Sequence, residues 1–154
     1  MDLVDARLEP ALILLVEDSL LDAEILLRNF RKARFSTPLI HLRDGAAALD
    51  YLLRQGDYTD EARAPTPDLL LLDLNLPRVG GWDILVTMRA DARLKTIPVV
   101  VMTSSEQDEE MVLRYEHGPN AVLRKPVDFY KLVEAIQSLS RLSFVLVRGT
   151  GQGL

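Results

Sequence analysis

Asp73 closes the apolar run 68–73 and is followed at once by Leu74-Asn-Leu-Pro77, so a single carboxylate stands where a buried strand gives way to a Pro-ended loop. Glu17 and Asp18 end an earlier apolar run, 11–16, in the same way; Thr103 ends a third, 97–102, and Lys125 ends a fourth, 120–124. If these runs are parallel strands of one sheet, all of these groups gather at its carboxyl edge, where open α/β sheets place their ligand sites. Three acids, one hydroxyl and one ammonium at such an edge describe a site for a divalent metal and a phosphoryl group.

A lone Asp at a strand end is most often a cap or turn former. In company the reading changes. Asp18 and Asp73 can together hold one Mg²⁺, a hard ion that takes a few carboxylates, a carbonyl and several retained waters, with Glu17 acting at one remove through a water on the ion. Crowding three carboxylates without a cation raises at least one pKa strongly, so the cluster itself argues for a metal. Pro126 restricts Lys125 to extended backbone and ends the strand there. Beside the acids, Lys125 reads as the fixed cation for a phosphoryl oxygen rather than as a surface ion pair of little energetic value. Thr103 reads as a hydrogen-bond donor to that group, and it, Ser104 or Ser105 can cap the helix that follows.

The elements that must position these residues are five short apolar runs alternating with segments of helical period, the pattern of a βα repeat with a parallel sheet. Strands are expected at 11–16, 39–42, 68–73, from Pro98 to the end of the 97–102 run, and at 120–124. Ser19 is placed to cap a helix in which Ala23, Leu26, Leu27, Phe30 and Ala33 recur at helical spacing. Asp44 is placed to cap a second helix, running to about Arg54, after which 55–67 is a polar, Pro-bearing surface excursion. Trp82, Leu85, Met88 and Arg89 mark a third helix, 106–116 a fourth that Gly118-Pro119 stops, and Phe129, Leu132, Val133, Ile136 and Leu139 a fifth. Residues 143–148 have the β-branched, aromatic composition of a strand, and 149–154 reads as flexible. His41 and His117 lack ligand spacing and read as packing or surface residues, and Trp82 as a semi-buried anchor.

A length of 154 residues with 48% hydrophobic content suits one domain, taken as 11–141, with an N-terminal tail at 1–10 and a C-terminal arm at 142–154. A net charge of -5 opposes a nucleic-acid footprint. The absence of Cys removes disulfides, thiolate metal sites and Cys nucleophiles and is compatible with a reducing cytoplasm. An acidic N-terminus and the lack of any run of membrane-spanning length leave no sign of a signal peptide or membrane anchor. There is no Gly-x-Gly-x-x-Gly fingerprint and no Gly-Lys-Ser/Thr loop for a nucleotide.

The acid pair Glu17-Asp18, the motif Asp73-Leu-Asn-Leu-Pro77 with Gly81 beyond it, Thr103 and the pair Lys125-Pro126 together resemble a response-regulator receiver domain of two-component signalling, over about residues 11–141. The resemblance implies a flavodoxin-like doubly wound α/β fold, with a five-stranded parallel sheet of order 2-1-3-4-5 and five helices. It also implies that Asp73 is a phosphoacceptor for a histidine kinase, that the main-chain carbonyl of Asn75 is a third protein ligand of Mg²⁺, and that Thr103 moves toward the phosphoryl group while the fourth helix and fifth strand re-pack. Such a protein assists its own phosphorylation and dephosphorylation and is not an enzyme acting on free substrates. The stretches 72–78 and 94–103 look most like stand-alone regulators that partner phytochrome-type histidine kinases. Three positions depart from the family. Val122 stands at a switch position often held by Tyr or Phe, which counts against switching by ring rotation; Gly80 replaces a common acid, and Ser104 a common Ala or Gly.

A Mg-dependent phosphatase of the haloacid-dehalogenase type is the rival reading. It would want a second Asp two residues after the nucleophile as general acid, and that position is Asn75. Finally, Leu132, Val133, Ile136, Phe144 and Leu146 offer more apolar surface than a lone final helix needs. They predict a two-fold homodimer, built on the fourth helix, fifth strand and fifth helix, that exchanges C-terminal arms; the alternative is that 144–147 folds back on its own chain.

Overall fold

In the computed structural model, which describes residues 12–139, the apolar runs form five parallel strands: β1 (Ile13–Val16), β2 (Leu39–Leu42), β3 (Leu69–Asp73), β4 (Val99–Thr103) and β5 (Ala121–Arg124). They pair in the order β2-β1-β3-β4-β5, as expected. Parallel strands need crossovers, and each is a helix: α1 (Leu20–Lys32), α2 (Gly45–Leu53), α3 (Gly81–Ala90) and α4 (Glu106–Arg114), with α5 (Phe129–Leu139) closing the series. A short turn of 3₁₀ helix at Gly56–Tyr58 breaks the excursion between α2 and β3.

Successive side chains of a strand point to opposite faces, which divides the core in two. Leu14, Val16, Leu70, Leu72, Val99 and Val101 meet residues of α2, α3 and α4, among them Leu52, Leu85 and Val112. Ile13, Leu15, Leu69, Leu71, Val100 and Met102 meet Leu26 and Phe30 of α1 and Leu132 and Ile136 of α5. Helices on both faces explain why β1, β3 and β4 are buried throughout, whereas β2 and β5 at the edges are half exposed.

Helix starts follow their caps. The Ser19 hydroxyl accepts from the Asp22 N–H, the Asp44 carboxylate from Ala47, and the Ser105 hydroxyl from Asp108. Ser105, not Thr103 or Ser104, therefore caps α4, which leaves the Thr103 hydroxyl for the site. The fourth helix ends at Arg114, before the expected 116. The excursion 55–67 is pinned rather than loose: the Tyr51 hydroxyl donates to the Pro65 carbonyl at 2.7 Å, and Arg54 and Arg93 both donate to the Thr66 hydroxyl at 3.0 Å.

One expectation is corrected here. Leu132 and Ile136 are fully buried against the chain's own sheet, because the apolar stripe of α5 is spent on β1, β3 and β4, so neither side chain is available to a partner. Val133 is half buried, and Phe144 and Leu146, with the rest of the arm and the N-terminal tail, lie outside the described residues.

The start of α3 packs directly behind the acidic edge. A Cβ on Gly81 would stand 2.4 Å from the Asp73 carbonyl oxygen and 2.7 Å from the Leu74 Cα, both backbone atoms that cannot swing aside. Gly81→Ala is expected to destabilise the fold by about 1–3 kcal/mol, the usual cost of overpacking, read as a lowered urea midpoint at unchanged m-value.

Candidate functional site

Parallel register delivers the groups named by the sequence to one edge. Val16 is level with Leu72 and Thr103 with Arg124, so Glu17, Asp73, Thr103 and Lys125 all emerge at the carboxyl end of the sheet. Glu17, Asp73 and Thr103 are buried, at 2%, 3% and 0% exposure, while Asp18 faces solvent. The site is thus a polar floor sunk at the end of an apolar sheet, with the exposed acids Asp18 and Asp22 on its rim.

Its charges are arranged around Lys125. The ammonium lies 2.7 Å from Glu17 Oε1, 3.3 Å from Asp73 Oδ2 and 3.3 Å from Asp22 Oδ2. The second oxygen of Glu17 accepts from the Ser19 N–H at 3.1 Å, and Asp73 Oδ1 accepts from the Asn75 N–H at 3.0 Å. Burial and then the neighbouring Glu17, through a hydrogen bond and its charge, push the Asp73 carboxyl up to about 7, against the opposing pull of the Asn75 N–H and Lys125. Burial of Lys125 works against its charge, but Glu17, Asp73 and Asp22 more than offset it and hold the ammonium above its ordinary value.

Three acids on one ammonium is an under-compensated cluster. One carboxylate oxygen from each of Glu17, Asp18 and Asp73 lies within 4.8 Å of the others, an all-oxygen donor set of the kind hard divalent cations select. A second positive centre there would relieve the repulsion that raises Asp73. The acidic cluster can therefore hold a divalent metal.

Thr103 uses its single proton on Asn75: its hydroxyl donates to Asn75 Oδ1 at 3.3 Å and accepts from the Ser105 N–H at 3.1 Å. Val122, half buried in β5, packs against the α2–α4 side of the core. Trp82 is half buried with its ring 5.0 Å from that of Tyr115, as an anchor should be. His117 stacks edge-on to Tyr115.

Three participants escaped the sequence reading. Asp22, in the first turn of α1, is a third anion on Lys125; its position four residues after Asp18 in a capped helix was the available signal. His41 places Nε2 2.8 Å from the Glu17 carbonyl oxygen, and because a carbonyl only accepts, that nitrogen carries the proton. Nothing in the sequence marks this contact between β2 and the end of β1. Asp108, in the first turn of α4, accepts from the Asn75 amide at 3.2 Å.

Residues 13–137 match the response regulator receiver domain. The chain belongs to that family. The receiver is 39% identical over 132 residues to the response regulator Rcp1 of Synechocystis sp., across 84% of this chain and 88% of that one. The bacteriophytochrome response regulator AtBRR superposes with a TM-score of 0.75 at 41% identity, covering 85% of this chain and 93% of that one. A second bacteriophytochrome regulator, RtBRR, does so with 0.78 at 41% identity, covering 93% and 86%. Rcp1 has also been solved in a Mn(2+)-bound form, with a TM-score of 0.69 at 38% identity, covering 84% of this chain and 91% of that one. The expected family, fold and kinship with phytochrome-linked regulators are all found. Among the described residues, no helix is long and apolar enough to cross a membrane.

The raised Asp73 value has a sign that can be checked in metal-free protein. An acid with a pKa near 7 when folded and 3.8 when unfolded favours folding while protonated, and that contribution is lost as pH rises from about 4 to 7. Asp73→Asn removes the ionising group, so the receiver variant should melt higher than wild type above pH 7, by roughly 5 °C. The advantage should shrink toward pH 4, as followed by thermal denaturation in chelator across that range.

Proposed function

We propose that this protein is a phosphorylation-dependent signalling module in which Asp73 takes a phosphoryl group from the phosphohistidine of a histidine kinase. The supporting observation is the conjunction at one sheet edge of a buried carboxylate, an ammonium 3.3 Å from it and two further acids within metal-sharing reach. Mg²⁺, held by Asp18, Asp73 and the Asn75 carbonyl with Glu17 behind them, would supply the positive charge that keeps Asp73 ionised and balances the phosphoryl oxygens.

The chain's own residues do the rest. The unprotonated oxygen of Asp73 attacks phosphorus in line, forming a P–O bond as the P–N bond breaks, and the imidazole departs with the electron pair. Lys125, kept charged by its three acids, is placed to exchange part of its ion pairing with Glu17 and Asp73 for a phosphoryl oxygen. Thr103 turns its proton from Asn75 to another oxygen. The acyl phosphate is labile, and Asn75, two residues beyond Asp73, stands where it influences the approach of water. The protein thereby assists both its phosphorylation and its dephosphorylation, and passes the signal by protein contact or onward transfer.

A kinase must bring its phosphohistidine to Asp73, and the surface beside the site suits a protein partner. Leu21 and Ile25 on α1 are 69% and 48% exposed at helical spacing, and Ile25 borders a groove with Pro126, Val127 and Phe129. The likeness to AtBRR and RtBRR supports a phytochrome-type kinase as the partner; the pair is proposed to act in the cytoplasm, in keeping with a chain free of Cys. Asp73→Asn is isosteric but not nucleophilic, so it should abolish labelling by phosphorylated kinase while circular dichroism stays native. Stoichiometric labelling of that variant would refute the assignment.

The same reading includes a homodimer. With Leu132 and Ile136 spent internally, support comes from α4, which leaves Met111 and Leu113 53% and 66% exposed, and from Tyr130 at the start of α5, 85% exposed. Arms carrying Phe144 and Leu146 would complete the contact. A chain ending at Ser140 should sediment as a folded monomer where the full chain dimerises; a dimer of undiminished affinity rules out arm exchange.

A further inference from the structure

The Asn75 side chain is a two-ended bridge. Its Oδ1 accepts the Thr103 proton at 3.3 Å, and its Nδ2 donates to Asp108 Oδ2 at 3.2 Å. The bridge therefore runs from the end of β4, across the loop after Asp73, to the first turn of α4. Both contacts depend on one orientation of one amide plane, with oxygen toward β4 and nitrogen toward α4.

Thr103 has one proton and spends it on Asn75, because its remaining contact, from the Ser105 N–H, uses the hydroxyl as acceptor. It cannot also donate to a phosphoryl oxygen. Once the proton moves, Asn75 Oδ1 loses its donor, and the amide held only by Asp108 is free to turn. Among the described residues, the carboxylate of Asp108 is the sole anchor at the helix end of the bridge, and the backbone of α4 is tied separately through the Ser105 cap, so the bridge can open without unwinding the helix.

Resting on the phosphoacceptor reading of Asp73, we propose that Asp108 is a positioning residue which, through Asn75, holds the Thr103 hydroxyl in its resting place and couples the phosphoryl site to the first turn of α4. Cutting the helix end of the bridge makes the phosphorylated arrangement easier to reach. By linkage, any ligand that needs Thr103 released then binds more tightly by the same factor.

The probe is beryllium trifluoride, a tetrahedral mimic of a phosphoryl group on a carboxylate, titrated into the full chain with Mg²⁺. Asp108→Ala should tighten its binding by about threefold to tenfold, the worth of one hydrogen bond. Asp108→Asn, which drops the charge but keeps an acceptor for Asn75, should change it by less than about twofold, and Glu110→Gln serves as a charge control elsewhere on α4. A metal-independent readout accompanies this: in chelator, the Asn75 side-chain amide protons should exchange faster in Asp108→Ala and not in Asp108→Asn. Equal tightening by the Ala and Asn variants means charge alone is responsible and overturns the bridge, as does an Asp108→Ala variant indistinguishable from wild type. A wild-type protein that fails to bind the probe overturns the phosphoacceptor reading itself, and with it the proposal.

Discussion

The structure turns on an imbalance of charge held in a place that water reaches poorly. Glu17 and Asp73 are almost wholly buried, and a single ammonium, itself shared with Asp22, stands between them. Two carboxylates so close cannot both ionise freely, and Asp73 absorbs the conflict by being pushed up to about 7. A site that is uncomfortable when empty of further cations is one prepared to bind them. The same discomfort makes Asp73 a group whose charge state responds to what arrives beside it.

Everything else in the fold serves to hold that imbalance still. Burial of β1, β3 and β4 on both faces fixes their register, and a slip of one residue would turn the core side chains of each strand to the wrong layer. The backbone around Asp73 is gripped from behind by Gly81, where no side chain fits, and its neighbour Leu74 is hydrogen-bonded to the Met102 carbonyl at 3.0 Å. Lys125 is fixed from its own backbone, whose N–H donates to the Thr103 carbonyl at 2.9 Å. Preorganisation of this kind matters because reorganising dipoles during the reaction would forfeit most of their effect.

What the sequence discloses and what it conceals divide along the range of the forces involved. Strand ends, caps at Ser19 and Asp44, and the amphipathic stripes of α1 and α5 are local patterns, and each was legible from spacing. So was the gathering of Glu17, Asp18, Asp73, Thr103 and Lys125, because parallel register carries every strand end to one edge. Contacts made by side chains reaching across elements were not. Asp22 on Lys125, His41 on the Glu17 carbonyl and Asp108 on Asn75 depend on how helices and an edge strand lean over the site. The apolar surplus of α5 was misread for a related reason: a stripe of the right period does not say which surface it will cover, and the chain's own sheet claims Leu132 and Ile136 first.

The valine at position 122 bears on how a signal leaves such a site. A ring there could travel between two positions as Thr103 moves, acting as a visible pointer on the surface. Val122 is branched at Cβ, stiff at its one torsion, and packed into the side of the core shared with α4. It carries no ring that could swing in that way. In the switch proposed above, motion at Thr103 is carried instead by groups that do have alternatives, and next to it these are the Asn75 amide and the polar first turn of α4. Glu109 in that turn also reaches Arg124 of β5 at 3.6 Å, so displacement of the helix end bears directly on the edge strand. With Met111 and Leu113 exposed further along the same helix, the proposed shift, set by one hydroxyl proton, would alter the apolar surface that a partner meets.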